Sequence, residues 1–230
     1  MNAQHIISQI SDTILNGDFC ITPEASDSSG QCTEGLSDLI SVSIENDVPA
    51  PLIATEGLDK PMLEIIDRFK NDDVMFMEMI ARAKLTGEAR DTLSDHVEDP
   101  ELLSKGTMLL AAVEGEYHRQ GKDIISSLSK GIGFNTIDLG TGVPTGDILD
   151  AADEHQPDYI GISASTRATI PELKEITDQI SMDRAHENTK VILGGFLAGD
   201  DEADALGADF LCQNLDQSID LLVNLAHSSS

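Results

Sequence analysis

The stretch TMLLAAVEGEYHRQGKDIISSL (Thr107 to Leu128) contains an apolar run, a polar turn and an amphipathic segment. The uninterrupted apolar run predicts a strand buried on both faces, and the apolar spacing that follows predicts a helix. The turn between them holds the carboxylate of Glu116 and the imidazole of His118. A turn that only joins two elements needs neither group, so this unit indicates both the fold and a candidate site.

The same strand–helix pattern recurs through the rest of the chain. The predicted strands are TMLLAAV, NTIDLG, DYIGISA, KVILGG and ADFLCQ, and a helical pattern follows each of them. Five such units predict a parallel sheet with helices on both faces. Ligands of these sheets bind at the carboxyl ends of the strands. We therefore expect the loops after the strands to share one edge, which brings together Glu116, His118, Ser163 and the pair Gly194-Gly195.

The first part of the chain has a different pattern. Residues 1–95 contain four amphipathic segments with short connections, which predict a four-helix bundle. A polar, Gly- and Ser-rich stretch at residues 17–33 is a loop or an insertion, and the third segment has a potential kink near Gly57 or Pro61. Residues 96–105 are predicted to form a linker, and residues 106–230 the α/β domain.

The composition excludes some classes of function. The 230 residues carry a formal net charge of −28, which opposes binding to nucleic acid or to an anionic membrane. A high-salt cytoplasm and an acidic partner-binding patch are two explanations, and the even spread of the charge favours the first. No apolar run is long enough for a membrane span. The three cysteines, Cys20, Cys32 and Cys212, have no metal-site spacing and suit free thiols in a reducing cytosol.

Three interpretations of His118 compete. It is a surface loop histidine, or it adjoins a nucleotide site at Gly140-x-Gly142-x-x-x-Gly146, or it is a metal ligand. The glycine spacing is not that of a dinucleotide or Walker motif, and the glycines more simply end a strand. Glu116 favours the metal interpretation, because a carboxylate two residues away can accept the other ring N–H. One imidazole cannot hold a free ion, so the metal has to arrive in its own macrocycle.

Several motifs together resemble those of one family. The motif E-x-H-x-x-G (Glu116 to Gly121), then Ser163, then G-G at 194–195 resembles the signature D-x-H-x-x-G, S-x-L, G-G of cobalamin-binding domains. GFNTIDLGTGVP (133–144) resembles the family's second strand and loop. PMLEIIDRFKNDDVMFMEMIARAK (61–84) is similar to the helical cap of corrinoid methyl carriers and of cobalamin-dependent methionine synthase. The resemblance implies a four-helix cap followed by a five-stranded, flavodoxin-like cobalamin-binding domain.

The resemblance assigns roles to individual residues. It implies that His118 replaces the cofactor's own dimethylbenzimidazole as the lower axial ligand of cobalt. Glu116 would hydrogen-bond His118, and Ser163 would extend this relay. The displaced nucleotide tail would enter a slot lined by Gly194 and Gly195, where a side chain would block it. The further cofactor-binding residues that it implies are Gly121, Ser165 and, over the upper face of the corrin, Phe69 and Phe76.

The sequence departs from the family pattern at three of these places. Glu116 stands where the family has aspartate, so the relay carries one more methylene group. Ser165 replaces the leucine of S-x-L, which makes the wall of the slot polar. Arg167 stands where a small threonine is common, and it would either meet the tail phosphate or remain exposed.

By resemblance, the protein is a corrinoid subunit that is not catalytic alone. It would bind cobalamin in the methylcobalamin form and carry methyl groups from a substrate-specific methyltransferase to a second methyltransferase acting on a thiol or tetrahydropterin, with a reductive activation protein as a further partner. The methyl donor stays open among methanol, methylamines, methoxylated aromatics and betaines. The alternatives are a cobalamin-binding sensor without methyl transfer, the small subunit of a carbon-skeleton mutase and a domain that has lost cobalamin. His5, His96, His155, His186 and His227 are predicted to be surface residues.

Overall fold

A computed structural model describes residues 2–17, 35–195 and 206–228. The polar stretch with Cys20 and Cys32, and most of the helix predicted before the last strand, lie outside these ranges. The chain divides into two compact units. A helical unit comprises Met1–Ser104 with Lys130–Gly133, and a sheet unit comprises Lys105–Ser129 with Phe134–Ser230.

Amphipathic helices build the helical unit, as the sequence predicted. They are α1 (Ala3–Asn16), α2 (Leu36–Glu45), α3 (Ala50–Leu52), a π-helical segment (Ile53–Asp59), α4 (Lys60–Lys70) and α5 (Phe76–Ser94), and a 3₁₀ turn follows at Pro100–Leu103. On α1 the buried residues Ile6, Ile10 and Ile14 recur every four positions, which gives this helix one apolar face.

The irregularity predicted near Gly57 is the π-helical segment. Wider turns of this kind shift the face that a helix presents to its neighbours. Gly57 contacts α1 closely, since a Cβ atom at this position would lie 3.2 Å from Cγ2 of Ile10. Pro61 follows this segment inside a helical run that continues from Ala50 to Lys70, and it lacks the backbone N–H that would bond to the preceding turn.

The sheet unit has five parallel strands with helices between them. The strands are β1 (Thr107–Ala112), β2 (Asn135–Asp138), β3 (Tyr159–Ser163), β4 (Lys190–Gly194) and β5 (Phe210–Cys212), in the order β2-β1-β3-β4-β5. The helices are α6 (Gln120–Gly131), α7 (Thr145–His155), α8 (Ile170–Met182) and α9 (Leu215–Ser228), with 3₁₀ turns at Arg167–Thr169 and Arg184–His186. The predicted α/β fold is confirmed.

Burial explains why the strands differ in composition. The central strand β1 is buried from Met108 to Ala112, as its unbroken apolar run predicted. The edge strand β2 has two exposed residues, Asn135 and Asp138, because only one side of it adjoins another strand. Leu109, Ile160 and Leu193 anchor the core on one side of the sheet. In the described ranges, no helix is long and apolar enough to cross a membrane.

A buried ion pair stabilises the helical unit. Arg90 on α5 pairs with Asp59, and the two side chains are only 7% and 6% exposed. Nη1 of Arg90 also donates a hydrogen bond of 3.0 Å to the carbonyl oxygen of Leu103. An exposed pair of the same kind, Lys60 and Glu56, joins neighbouring turns, with side chains 66% and 40% exposed.

We predict that Asp59→Ala lowers the free energy of unfolding of the full chain by about 3–5 kcal/mol, because Arg90 keeps its buried charge without its partner. Glu56→Ala is the matched control and should cost less than about 1 kcal/mol, since its pair is exposed. Urea unfolding followed by circular dichroism measures both values. Equal effects of the two variants would show that the buried pair is not the stronger constraint.

Candidate functional site

The candidate site lies where the order of the strands reverses. β1 and β3 are neighbours, with Ala112 opposite Ser163, while the chain runs from β1 to β2 on one side and from β3 to β4 on the other. The loops after β1 and β3 therefore diverge and leave a crevice at the carboxyl ends of the strands, where ligands of open α/β sheets bind. Glu116 and His118 lie in the first loop, and Ser165 lies in the second.

A buried carboxylate joins the two loops. Oε1 of Glu116 accepts hydrogen bonds from the backbone N–H of His118 at 2.7 Å and from Nδ1 of its ring at 2.8 Å. Oε2 accepts one from the backbone N–H of Ser165 at 2.5 Å and another from the Ser165 hydroxyl. The side chain of Glu116 is only 1% exposed, so it depends on these donors to keep its charge.

These donors determine the protonation of Glu116. Burial by itself raises the pKa of the carboxyl, but the Ser165 hydroxyl, the two donors of His118 and the Ser165 backbone N–H outweigh it. Together they lower the pKa from 4.5 to about 2. Glu116 is therefore a carboxylate throughout the physiological pH range, and it acts as a hydrogen-bond acceptor only.

The ring of His118 is oriented for ligation. Its side chain is 84% exposed although its partner Glu116 is buried. With Nδ1–H donated to the carboxylate, the neutral ring carries its free lone pair on Nε2, and Nε2 has no hydrogen-bond partner among the described residues. A carboxylate–imidazole pair with one open nitrogen is the usual arrangement of a metal-ligating histidine.

The structure gives Ser163 and Ser165 different neighbours. The sequence analysis assigned the third position of the relay to Ser163, but Ser165 occupies it, and its Oγ also lies 3.3 Å from Nδ1 of His118. Within the described ranges the Ser163 hydroxyl bonds to neither Glu116 nor His118. The sequence held one signal for this role of Ser165. It departs from the family signature at both partners, with glutamate in place of aspartate at 116 and serine in place of leucine at 165.

The glycines of the loop after β2 shape the wall of the crevice. Gly140 and Gly142 have φ values of +92° and +67°, which L side chains rarely adopt, so they serve the tight turn that the sequence suggested. The N–H of Gly142 donates to the carbonyl oxygen of Glu116 at 3.1 Å. The ring of Tyr117 lies over Gly142, since a Cβ atom there would be 3.2 Å from Cε1 of the tyrosine.

A salt bridge that the sequence analysis missed anchors the start of α6. Nζ of Lys122 lies 2.5 and 2.6 Å from the two carboxylate oxygens of Asp138 and 3.0 Å from Asp123. The Lys122 side chain is only 4% exposed, so this contact is shielded from solvent. It ties the start of the helix that follows His118 to the end of β2.

A cavity of about 200 Å³ opens at the same edge of the sheet unit. Among the residues that line it are Gly121, Ser163, Gly194, Gly195, Cys212 and Leu222. A Cβ atom at Gly121 would meet no atom within 4 Å, and one at Gly194 would meet only the Ile162 carbonyl oxygen, at 4.0 Å. Both glycines line the cavity and have little or no protein within contact distance, so a side chain at either position would have room there.

Two other cavity residues escaped the sequence analysis. Cys212 is a buried free thiol in the cavity wall, and burial raises its pKa. Gly161 precedes Ser163 by two residues on β3, and a Cβ atom there would lie 2.5 Å from Cδ2 of Leu110. The sequence could have indicated Gly161, because residues two apart on a strand share a face and Ser163 was already a candidate.

Comparison with known proteins relates the sheet unit to one family. Residues 106–216 match the family described as B12 binding domain. The chain is 29% identical over 168 residues to Dimethylamine corrinoid protein 1 of Methanosarcina acetivorans. The aligned region covers 73% of this chain and 79% of the relative. It is 24% identical over 218 residues to Monomethylamine corrinoid protein 1 of Methanosarcina barkeri, covering 93% of this chain and 94% of the relative. The chain is homologous to these methylamine corrinoid proteins.

Solved structures share the fold at lower identity. A cobalamin-binding protein from Desulfitobacterium hafniense DCB-2 matches 98% of both chains with a TM-score of 0.64 and 20% identity. A chain of the methanol:cobalamin methyltransferase complex MtaBC from Methanosarcina barkeri matches with a TM-score of 0.72 and 20% identity. The match covers 96% of this chain and 80% of that chain. At this identity the likeness concerns the fold alone, and it supports a helical unit followed by a flavodoxin-like α/β unit.

The residues of the sheet unit fit a corrinoid. The open Nε2 of His118 is a suitable nitrogen ligand for a metal that arrives in a macrocycle, and the cavity lined by Gly121 and Gly194 has room for a side arm of the cofactor. Phe69 and Phe76 lie in the helical unit, where their ring centroids are 5.8 Å apart. Their role above the corrin stays a prediction.

One of the remaining histidines differs from its prediction. His5, His96, His155 and His227 are exposed as predicted, but His186 is only 4% exposed, so its assignment to the surface was wrong. Its Nε2 lies 2.9 Å from the carboxylate of Asp153, which draws the ring against α7. The ligand atoms of Asp153, Asp183 and His186 lie within 4.8 Å of one another, and Nδ1 of His186 is buried without a hydrogen-bond partner among the described residues.

We predict that Glu116→Gln lowers the free energy of unfolding of the corrin-free protein at pH 7 by up to about 3 kcal/mol, because an amide cannot accept from all of these donors. The pKa of Glu116 is depressed, so its contribution is complete above pH 4.5 and disappears as the pH falls toward 2.

The gap between wild type and variant should therefore shrink between pH 5 and pH 3 in urea unfolding experiments. Glu114→Gln, an exposed position in the same loop, is the control and should leave stability unchanged. A gap that stays constant over this pH range would contradict the assignment of the low pKa to Glu116.

Proposed function

We propose that the protein is a corrinoid methyl carrier with His118 as the lower axial ligand of cobalt. The observation that supports this most strongly is the exposed imidazole of His118, whose Nδ1 is held by a buried carboxylate while Nε2 stays open. A carboxylate partner fixes the tautomer and raises the basicity of a ligating imidazole. The names of the homologous methylamine corrinoid proteins support the class of function.

The chain's own residues would hold the cofactor in two places. His118 would supply the protein ligand below the corrin, and the glycine-lined cavity would take the displaced nucleotide tail. When bound, the corrinoid supplies a cobalt centre that accepts a methyl group and gives it up, so the methylated cofactor is the form carried. Glu116 keeps the His118 ring in one tautomer during these changes, because its charge does not vary near neutral pH.

We infer that a substrate-specific methyltransferase loads the carrier and that a second methyltransferase unloads it to a thiol or tetrahydropterin, with a reductive activation protein as the third partner. The methyl donor is a methylamine, since the relatives carry the names of mono-, di- and trimethylamine corrinoid proteins.

The carrier function is tested by reconstitution with hydroxocobalamin and reduction. The loaded chain is then incubated with mono-, di- or trimethylamine carrying a labelled methyl group and with the corresponding methyltransferase. We expect label on the protein-bound corrinoid for one amine, and transfer of that label to a thiol when a second methyltransferase is added. No labelling with any of the three pairs would contradict the methylamine carrier, and a cobalamin-binding sensor would then be the better account.

We also predict that Gly194→Val weakens binding of hydroxocobalamin by at least about tenfold, or 1.4 kcal/mol, because the new side chain occupies the cavity. Binding of diaquocobinamide, which lacks the nucleotide tail, should change less than twofold. Isothermal titration calorimetry measures both affinities.

Gly146→Val is the matched control, since a Cβ atom there also meets no atom within 4 Å but Gly146 lies in the first turn of α7. It should leave both affinities unchanged. Equal losses for the two ligands in Gly194→Val would contradict the assignment of the cavity to the tail.

A further inference from the structure

An exposed aromatic side chain lies next to His118 in the sequence. Tyr117 is 75% exposed. The whole chain contains two tyrosines and no tryptophan, so aromatic side chains are scarce in it. Among the described residues of the sheet unit, the other large apolar side chain with this degree of exposure is Met182, at the end of α8. Single exposed apolar side chains are common on proteins, so a role for Tyr117 has to rest on its surroundings.

The backbone of the loop after β2 supports the ring of Tyr117. The ring lies against Gly142, where a Cβ atom would be 3.2 Å from Cε1 and 3.8 Å from Cδ1. This loop is hydrogen-bonded to the chain at the end of β1. The N–H of Val143 donates to the carbonyl oxygen of Ala112 at 2.9 Å, and the N–H of Gly142 donates to that of Glu116 at 3.1 Å. The ring therefore rests on anchored backbone while most of its surface stays exposed.

A ring supported in this way is suited to binding. Covering an aromatic side chain removes a large apolar surface from water, and a ring that already rests on a neighbouring loop loses little conformational freedom when it is covered. The Tyr117 hydroxyl makes no hydrogen bond to another described residue. The side chain therefore offers a ligand its ring rather than a polar group.

The position of Tyr117 beside His118 indicates which ligand would cover it. Consecutive Cα atoms are about 3.8 Å apart, so the two side chains start from neighbouring points. A metal bound at the open Nε2 of His118 brings its macrocycle to this surface, and a flat macrocycle is wider than the imidazole that binds its metal. Of the two residues adjacent to His118, Arg119 pairs with Asp123, whereas Tyr117 presents exposed apolar surface.

We propose that Tyr117 is a cofactor-binding residue whose aromatic ring makes an apolar contact with the corrin ring when His118 binds cobalt. The inference rests on the proposed function and adds to it a contact that does not involve the nucleotide tail. Aromatic rings attract other flat conjugated groups, and this attraction requires no hydrogen bond. The contact therefore depends on the ring of Tyr117 and not on its hydroxyl.

The first test measures affinity for diaquocobinamide, which has a corrin ring and no nucleotide tail. We expect Tyr117→Ala to weaken its binding by about tenfold, because the contact with the ring is lost. Tyr117→Phe keeps the ring and should bind within about twofold of wild type. Met182→Ala is the matched control, since it removes a similarly exposed apolar side chain at the end of α8, and it should bind like wild type.

A double-mutant cycle with His118→Ala distinguishes a contact with the corrin from an effect on the imidazole. Hydroxocobalamin is the ligand here, because its nucleotide tail gives it a second point of attachment. If the Tyr117 ring contacts the corrin, Tyr117→Ala should also weaken binding by about tenfold in the His118→Ala background. If Tyr117 only positions the imidazole, its substitution has no further effect there, and the proposal is overturned.

Chemical protection tests the contact in the wild-type chain, and it decides the question if a variant fails to fold or to bind. Tetranitromethane nitrates accessible tyrosine rings, and mass spectrometry of peptides reports Tyr117 and Tyr159 separately. Tyr159 is the internal reference, because it lies at the start of β3 with the edge of one ring against the other in its contact with Phe134. Bound diaquocobinamide should slow nitration of Tyr117 severalfold and leave that of Tyr159 unchanged.

The outcomes separate this inference from the proposed function. If the wild-type protein binds neither hydroxocobalamin nor diaquocobinamide, the proposed function fails. If wild type binds both corrinoids but Tyr117→Ala has an unchanged affinity, or Tyr117 is nitrated equally fast in the loaded protein, the function stands and the contact is overturned. Weaker binding in Tyr117→Ala, recovery in Tyr117→Phe and protection of Tyr117 in wild type together support the contact.

Discussion

The buried carboxylate of Glu116 is the constraint on which the candidate site depends. It lies between the loops after β1 and β3, and a charge in this position persists only because four donors surround it. The same hydrogen bonds that keep it charged also orient the ring of His118. Stability and function are therefore linked here, since a change that removes a donor destabilises the buried charge and releases the imidazole.

An exposed imidazole and a cavity lie near this carboxylate at one edge of the sheet. On one side the imidazole of His118 is exposed and has an open nitrogen. On the other side lies the cavity of about 200 Å³, which opens at this edge and has Gly121 and Gly194 in its wall. The Lys122–Asp138 salt bridge fixes the start of the helix that lies between them. The proposed binding of a cofactor with a flat body and a long side arm rests on this pairing of an exposed imidazole with an open cavity.

Much of the fold could be predicted from the sequence, because apolar periodicity reports burial directly. The five strands appear where their apolar runs lie, and the kink near Gly57 appears as a π-helical segment. Glu116 and His118 could also be placed together, since residues two apart in an extended loop share a side. The partner of Glu116 could not be predicted, because the choice between Ser163 and Ser165 depends on how far a glutamate side chain reaches across a crevice. The burial of His186 was likewise missed, since its neighbours in the sequence are polar and its partner Asp153 lies 33 residues away.

The measurement that tests the central claim most directly is the electron paramagnetic resonance spectrum of the Co(II) protein labelled with nitrogen-15 at histidine. The protein is loaded with cobalamin whose benzimidazole is unlabelled, and wild type is compared with His118→Ala. Ligation by His118 predicts superhyperfine splitting from a nitrogen-15 nucleus in wild type and its loss in the variant. Splitting from the unlabelled base of the cofactor in wild type would contradict the claim that His118 is the lower axial ligand.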